Sequence, residues 1–378
     1  MKPLILFGTR PELIKLYPVV CAFRDAGVEP ATVFSGQHGS LVEETLRSLD
    51  LGPIVRLDLM SPNQTPEVFL ARCLQALGAV LDMHPIDALL VQGDTTTALA
   101  GALMGFYRKV PVGHVEAGLR TNDLKAPFPE EGHRQMISRI SNWNFCPTLR
   151  DVQALEQEGL APHTLFEVGN TVIDALRLRC DVMGLEVASA VNSRRVLVTM
   201  HRRESFGGGL GIIAHAVLRL AILRPDLDFL LPLHPNPAVA REVLPVLSGI
   251  RNVQITEPLP YEAFLRELCT SRFVISDSGG IQEEAPWLGR PVLVVREQTE
   301  RPQAVEAGAS FLCGTADSER IVQTALLLAD DTPIFRTAST RRSLFGDGFT
   351  AQRIVQLLGA RPVATRSPQE SSCLTPAS

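Results

Sequence analysis

Short apolar runs alternate with longer helical patterns from the start of this 378-residue chain, and the alternation begins again half-way along it. Residues 4–7, 31–34, 88–92 and 111–115 read as strands. Residues 11–26 and 95–108 read as helices between them, with Pro11 suited to a first helical turn. Strands that are apolar along their whole length belong in a parallel sheet covered by helices on both faces. The same order returns with strands at 196–200, 229–233, 273–276 and 291–295, and helices at 211–224 and 280–288. No short-period repeat is present, which excludes a solenoid. The pattern therefore predicts an α/β protein of two doubly wound, Rossmann-like domains with a cleft between them. The length agrees, at roughly 150 residues per domain.

The expected boundaries are 1–170 for an N-terminal domain carrying acids, 171–350 for a second domain, and 351–378 for a terminal helix and tail. The helix covers 353–358. The tail is rich in Ser, Pro, Thr and Ala, lacks a periodic apolar face, and reads as flexible.

Composition removes several function classes. Acids outnumber bases 41 to 36, a net charge of −5, so the overall basic footprint of a nucleic-acid binder is absent. No run of about 18 uncharged apolar residues occurs, so no membrane span is expected, and the N-terminal apolar run is too short for a signal peptide. Seven scattered cysteines without a CxxC argue against a disulfide framework or a zinc site and fit a reducing cytoplasm. The eight histidines never fall in HExxH or at paired ligand spacing, and no metal or cofactor is expected. Only four of the cations are lysines, at 2, 15, 109 and 125, and the other 32 are arginines. Genome composition accounts for that bias, yet it makes Lys15 stand out.

Ligands of open parallel sheets bind beyond the carboxyl ends of the strands. Those ends carry Gly8-Thr9-Arg10, Gly36-Gln37-His38, Gly93-Asp94, Glu116-Ala117-Gly118, His201-Arg202-Arg203-Glu204, His234-Pro235-Asn236 and Asp277-Ser278-Gly279-Gly280. Taken singly, each is also what a turn or a helix cap demands. Ser278, Gly279 and Gly280 sit between a strand and a helix, where backbone N–H groups and the helix dipole attract an anion. The next acids, Glu283 and Glu284, fall in the first or second turn and suit the dipole; Glu284 is alternatively an acceptor for ribose hydroxyls. Arg10 and Lys15 flank the first helix start and can reach a diphosphate, although Lys15 also fits a snorkelling surface cation. Asp94 and Glu116 follow separate strands, and Pro127-Phe128-Pro129 is expected to form an extended loop presenting Glu130 and Glu131. Clustered carboxylates raise one another's pKa, which suits proton transfer near neutral pH. Glu131 reads better as an acid of the helix over 132–138, and Asp94 equally as an N-cap. His201, beside two arginines directly after a strand, suits phosphate binding or protonation of a leaving group.

Eight ordered segments carry a more specific signal. They are Gly8-Thr9-Arg10-Pro11-Glu12 with Lys15, Gln92-Gly93-Asp94-Thr95-Thr96-Thr97, His114-Val115-Glu116-Ala117-Gly118-Leu119-Arg120-Thr121, and Pro127-Phe128-Pro129-Glu130-Glu131. The others are Gly169-Asn170-Thr171-Val172-Ile173-Asp174, His201-Arg202-Arg203-Glu204, Ser276-Asp277-Ser278-Gly279-Gly280-Ile281-Gln282-Glu283-Glu284-Ala285-Pro286, and Glu300-Arg301-Pro302. Together they resemble the non-hydrolysing bacterial UDP-N-acetylglucosamine 2-epimerases, over nearly the whole chain except the tail.

The resemblance implies the two-domain glycosyltransferase-B architecture, with UDP held mainly by the second domain. It implies a phosphate role for Ser278, Gly279 and Gly280, and a ribose role for Glu284. It implies diphosphate or sugar contacts for Arg10, Lys15, His201 and Arg301, and places Phe264 near the uracil. Asp94, Glu116 and Glu130 match the family's catalytic acids, with His201 assisting at the leaving group. The implied reaction interconverts UDP-N-acetylglucosamine and UDP-N-acetylmannosamine through 2-acetamidoglucal and UDP, in a cytoplasmic homodimer that supplies cell-surface polysaccharide synthesis. Gly39 stands where bacterial members often have an arginine, so allosteric activation by a second substrate molecule is not among the expectations. The competing readings are a hydrolysing epimerase, a glycosyltransferase of the same fold and a non-catalytic sugar-nucleotide-binding protein.

Overall fold

The structure is a computed structural model that describes residues 1–37, 40–61, 63–187, 189–200, 209–234 and 236–359. His38, Gly39, His201, Arg202, Arg203, Glu204, Pro235 and the 361–378 tail lie outside the described residues.

The first sheet contains β1 (Pro3–Phe7), β2 (Ala31–Phe34), β3 (Ile54–Arg56), β4 (Ala88–Gln92), β5 (Val112–Val115), β6 (Trp143–Cys146) and β7 (Leu165–Glu167). Its order is β3-β2-β1-β4-β5-β6-β7, and neighbouring strands are parallel. The second contains β8 (Arg195–Thr199), β9 (Asp228–Pro232), β10 (Val253–Thr256), β11 (Phe273–Ser276), β12 (Val292–Val294) and β13 (Ser310–Leu312). Its order is β10-β9-β8-β11-β12-β13, again parallel throughout. Both are the doubly wound α/β sheets expected from the sequence.

Alternate residues of a strand point to opposite faces, and both faces are buried here. Ile5 and Phe7 join Leu90 in a cluster with Leu13, Leu16 and Val20 of the helix Arg10–Asp25. Leu4 and Leu6 join Leu89 and Val91 in a second cluster with Leu77 of the helix Pro66–Met83 and Ala98 of the helix Thr96–Arg108. In the second sheet Val196, Val198, Phe273, Ile275 and Leu293 pack against Ile213, Val217 and Leu220 of the helix Gly209–Leu223. Five strands escape the sequence pattern: β3, β6, β7, β10 and β13. Each has three or four residues, and four of the five are edge strands, where a short segment needs little apolar length.

The chain divides into one unit of Met1–Val182 together with the segment that begins at Phe345, and another of Met183–Leu344. This differs from the expected boundaries at 170 and 350. The helix Thr171–Met183 stays with the first unit because the returning chain is built onto it. The Asn170 N–H donates to the Phe345 carbonyl at 2.6 Å, and Arg177 donates to the Gly348 carbonyl at 3.0 Å. The Arg177 guanidinium also lies 4.6 Å from the centre of the Phe349 ring. The buried Asp174 carboxylate accepts the Ala351 N–H at 2.7 Å and so caps the helix Thr350–Leu357 from a distant part of the chain. That helix then sends Ala351, Ile354 and Val355 into the cluster of Leu13 and Val20.

Among the described residues no helix is long and apolar enough to cross a membrane, and no group of three or more His, Cys, Asp or Glu is placed to hold a metal ion.

Burial pushes the Asp174 carboxyl up to about 6, against the pull of its backbone hydrogen bonds. A carboxyl with a raised folded-state pKa contributes stability that is complete below the unfolded value and lost as pH rises through the folded one. Replacing Asp174 with Asn should therefore remove a stability decrement seen in the native protein between about pH 4 and pH 6. Replacing it with Ala should cost about 1–3 kcal/mol by leaving the Ala351 N–H unsatisfied. Urea unfolding across this pH range measures both. An Ala variant as stable as the native chain would show that apolar packing alone holds the returning helix.

Candidate active site

In each sheet the strand order reverses at one place, between β1 and β4 in the first and between β8 and β11 in the second. Such a switch point opens a crevice beyond the carboxyl ends of the two strands. The loops after β1 and β4 are Gly8-Thr9-Arg10 and Gly93-Asp94-Thr95. Gly8 has to be glycine, since a Cβ there would lie 2.2 Å from Thr97 Oγ1 and 2.3 Å from Ser35 Oγ. Thr9 is the N-cap of the helix Arg10–Asp25 and forms a capping box with Glu12, so Arg10 is the first helical residue. Glu12 is 1% exposed. Its Oε2 accepts the N–H groups of Gly8 (3.0 Å) and Thr9 (2.7 Å), and its Oε1 accepts the Thr95 hydroxyl (2.7 Å). Burial pushes this carboxyl up to about 7, with the hydrogen bonds opposing.

Lys15 is buried, so the surface reading left open by the sequence does not hold. Its Nζ lies 2.5 Å from Glu116 Oε2, and the Gln92 side-chain amide donates to the same oxygen. Glu116 itself has φ +65°, the left-handed region, at a cost of about 1–3 kcal/mol for a residue with a Cβ. Two side chains fix the carboxylate of a residue whose backbone is strained.

Asp94 does not cap the following helix. Thr95 does so, accepting the Ala98 N–H at 3.0 Å. The Asp94 carboxylate pairs instead with the buried Arg134, and its carbonyl accepts the Nδ1–H of His133 at 2.8 Å. One residue earlier, the Gly93 carbonyl accepts the Nε2–H of His114 at 2.8 Å. His114 is buried, which pushes its pKa down to about 4 and leaves it neutral at ordinary pH. Glu130 opens the helix Glu130–Ile140, is half-buried, and its carboxylate has no hydrogen bond or ion pair among the described residues. Glu131 is structural, as expected: it accepts the N–H groups of Thr121 (3.1 Å) and Asn122 (3.2 Å) and pairs with Arg134 at 3.4 Å. The prolines before it do not give the extended loop predicted. Residues 124–129 run through consecutive turns into the helix. Asp94, Glu116 and Glu130 are not hydrogen-bonded to one another; Asp94 and Glu116 are each paired with a cation of their own.

In the second unit the Ser278 N–H donates to Ser276 Oγ at 2.9 Å, and Ser276 shares a 2.8 Å hydroxyl contact with Thr199, which ties β11 to β8. Ser278 is the N-cap residue of the helix Gly279–Trp287. A Cβ on Gly279 would stand 2.7 Å from Arg301 Nη1, so the bare backbone lets the guanidinium lie against the helix start. Gly280 has no such restriction, its nearest neighbour for a Cβ being Ser278 Oγ at 3.9 Å. Arg301 donates through Nε to Glu283 Oε1 at 2.8 Å and through Nη1 to Glu300 Oε2 at 3.2 Å. Arg296 holds Glu300 with two further bonds of 2.8 and 3.1 Å. A buried guanidinium beside the positive end of a helix is suited to an anion. Glu283 and Glu284 fall in the second helical turn, and Glu284 is buried. Phe264 is half-buried on the helix Tyr261–Thr270. His201, expected in this group, lies outside the described residues.

Sequence reasoning assigned no role to Gln92, Glu12, His133, Arg134 or Glu300. Glu12 was visible as the acid of a capping box. Gln92 and Glu300 stood in the quoted motif segments without a role of their own, and His133 and Arg134 had no local signal.

A family model described as UDP-N-acetylglucosamine 2-epimerase matches residues 22–359. The UDP-N-acetylglucosamine 2-epimerase of Yersinia pestis is 40% identical over 95% of this chain and 98% of its own. A crystal structure of the Neisseria meningitidis UDP-GlcNAc 2-epimerase bound to UDP-GlcNAc is 37% identical over 95% of this chain and 99% of that one, with a TM-score of 0.89. The Methanocaldococcus jannaschii enzyme in complex with UDP-GlcNAc and UDP is 31% identical, with a TM-score of 0.82, over 95% and 99% of the two chains. A sucrose-phosphate synthase from Thermosynechococcus elongatus, 13% identical with a TM-score of 0.65 over 95% and 98% of the chains, shares the fold alone, of glycosyltransferase-B type. Matched across its length by the family model and by relatives well above 30% identity, the chain belongs to the UDP-N-acetylglucosamine 2-epimerase family.

Proposed function

We propose that the protein interconverts UDP-N-acetylglucosamine and UDP-N-acetylmannosamine without net hydrolysis, by elimination and re-addition of UDP. Family membership supports the substrate. The observation that carries the mechanism is the set of acids of the first unit: Asp94 and Glu116 just after β4 and β5, paired with Arg134 and Lys15, and Glu130 at the start of the following helix, with no partner among the described residues.

The hydrogen at C2 of the sugar is not acidic enough to leave alone. Removing it as the C1–O bond to UDP breaks sends its electron pair into a C1–C2 double bond, giving 2-acetamidoglucal and UDP. Re-addition reforms the C1–O bond while a proton is delivered to C2 from the other face. Two faces require at least two proton carriers, which Asp94, Glu116 and Glu130 supply. Cations and helix-terminus amides stabilise the departing diphosphate, a task for Arg10, Lys15, Arg301 and the Ser278-Gly279-Gly280 turn, with His201 assisting. Glu284 receives the ribose and Phe264 the uracil.

Incubation with UDP-N-acetylglucosamine in deuterium oxide, followed by proton NMR, should give a second UDP-sugar with deuterium at C2. Free N-acetylmannosamine with UDP would identify a hydrolysing enzyme instead. No turnover would leave a transferase or a binding protein.

Asp94→Asn, Glu116→Gln and Glu130→Gln should each lower kcat by about 100-fold or more while UDP affinity changes little. An Asp94→Asn enzyme with full deuterium incorporation at C2 would remove Asp94 from the proton work. Gly279→Ala, which forces Arg301 off the helix start, should weaken UDP binding roughly tenfold, read by isothermal titration calorimetry.

A further inference from the structure

Glu12 joins the two loops of the first switch point through one carboxylate. Its Oε2 holds Gly8 and Thr9, which precede Arg10, and its Oε1 holds Thr95, which follows Asp94. Each oxygen therefore serves one loop. A capping box needs only the Thr9 side of this arrangement, and it works as well with an exposed acid. Here the carboxyl is buried at a cost that shows in its raised pKa, and the bond to Thr95 lies 83 residues away in sequence.

We propose that Glu12 is a positioning residue for the epimerisation, locking the Gly93-Asp94-Thr95 loop to the loop that carries Arg10. The assignment rests on the reading of Asp94 as a proton carrier. Three consecutive residues of that loop are each pinned by a different buried side chain. His114 holds the Gly93 carbonyl, His133 the Asp94 carbonyl and Glu12 the Thr95 hydroxyl. His114 and His133 come from the same side of the loop in sequence, on β5 and the helix Glu130–Ile140, whereas Glu12 comes from the helix after β1. Glu12 is thus the link in this set that ties Asp94 to the element bearing Arg10 and Lys15. Buried beneath the loops, it acts through these neighbours.

Four single variants of the full chain, Glu12→Ala, Glu12→Gln, Thr95→Val and Thr95→Ser, and the double variant Glu12→Ala/Thr95→Val test this. Displacement of a catalytic group by about 1 Å costs on the order of 100-fold in rate. Glu12→Ala should lose about that factor in kcat with KM within a few-fold, and Thr95→Val should lose a substantial part of it. The double variant should lose less than the product of the two single losses, since both break the Glu12–Thr95 link, and any further loss beyond Glu12→Ala reports the Thr95 cap on the Ala98 N–H, which Thr95→Val also removes. Glu12→Gln and Thr95→Ser keep an acceptor and a hydroxyl in place and should restore most of the rate. Hydrogen–deuterium exchange should show faster exchange at residues 93–95 in Glu12→Ala and Thr95→Val, with the second unit unchanged.

A Glu12→Ala enzyme with native kcat overturns the proposal, and so does a loss that follows only the melting temperature and is as large in Glu12→Gln. Unchanged exchange at 93–95 overturns it whether or not the native protein turns over UDP-N-acetylglucosamine. Failure of the native protein to epimerise defeats the functional reading separately. If Glu12→Ala does not fold, Thr95→Val and Thr95→Ser carry the same comparison.

Discussion

A parallel strand covered by helices on both faces has no place along its length for an unpaired charge. In β1, β4 and β8 the interior side chains are apolar, and polar and charged residues are confined to the strand ends and the loops beyond them. This constraint concentrates the chemistry. Because each sheet reverses its order once, the polar ends of two adjacent strands diverge into a crevice, and the loops that leave them are short. Arg10, Asp94 and Ser278 stand where they do because their strands are too buried to carry them anywhere else.

Charges gathered at the edge of a buried sheet must be paired there. Lys15 with Glu116, Arg134 with Asp94 and Glu131, and Arg301 with Glu283 and Glu300 are the solutions adopted. Deleting one partner of a buried pair typically costs about 3–5 kcal/mol, because the other charge is left uncompensated. The same pairs that stabilise each unit therefore hold fixed charges at its strand ends, with little reorganisation left to do when a charged ligand reacts there. Glu130 differs from Asp94 and Glu116 in lacking a cation among the described residues, and that leaves its carboxylate the least constrained of the three acids.

The repeating order of apolar strands and helices was legible in the sequence, since period and burial are written locally. The central strands were identified within a residue or two, as were the starts of the helices Arg10–Asp25 and Gly279–Trp287, expected at 11 and 280. Short edge strands such as β3, with the sequence Ile54-Val55-Arg56, carry too few residues to show a pattern. The partners of the acids were harder still. Arg134 meets Asp94 across 40 residues and Lys15 meets Glu116 across 101, contacts fixed by how helices lie on the sheet and not by spacing. Lysine scarcity drew attention to Lys15, yet nothing in its neighbourhood distinguished a buried ion pair from a surface cation. The return of the chain after Phe345 into the first unit was invisible for the same reason.

That return has a consequence for synthesis. The first unit is assembled from two stretches, and all of Met183–Leu344 lies between them. A chain made from its N-terminus completes the second unit before the helix Thr350–Leu357 exists to close the apolar cluster around Leu13 and Val20. Arg10, Asp94, Glu116 and Glu130 leave the ribosome early, in the unit whose apolar cluster is closed last. Until then the nascent protein holds one finished sheet and one unsealed, so the window in which exposed apolar surface invites aggregation falls on the unit that carries the acids.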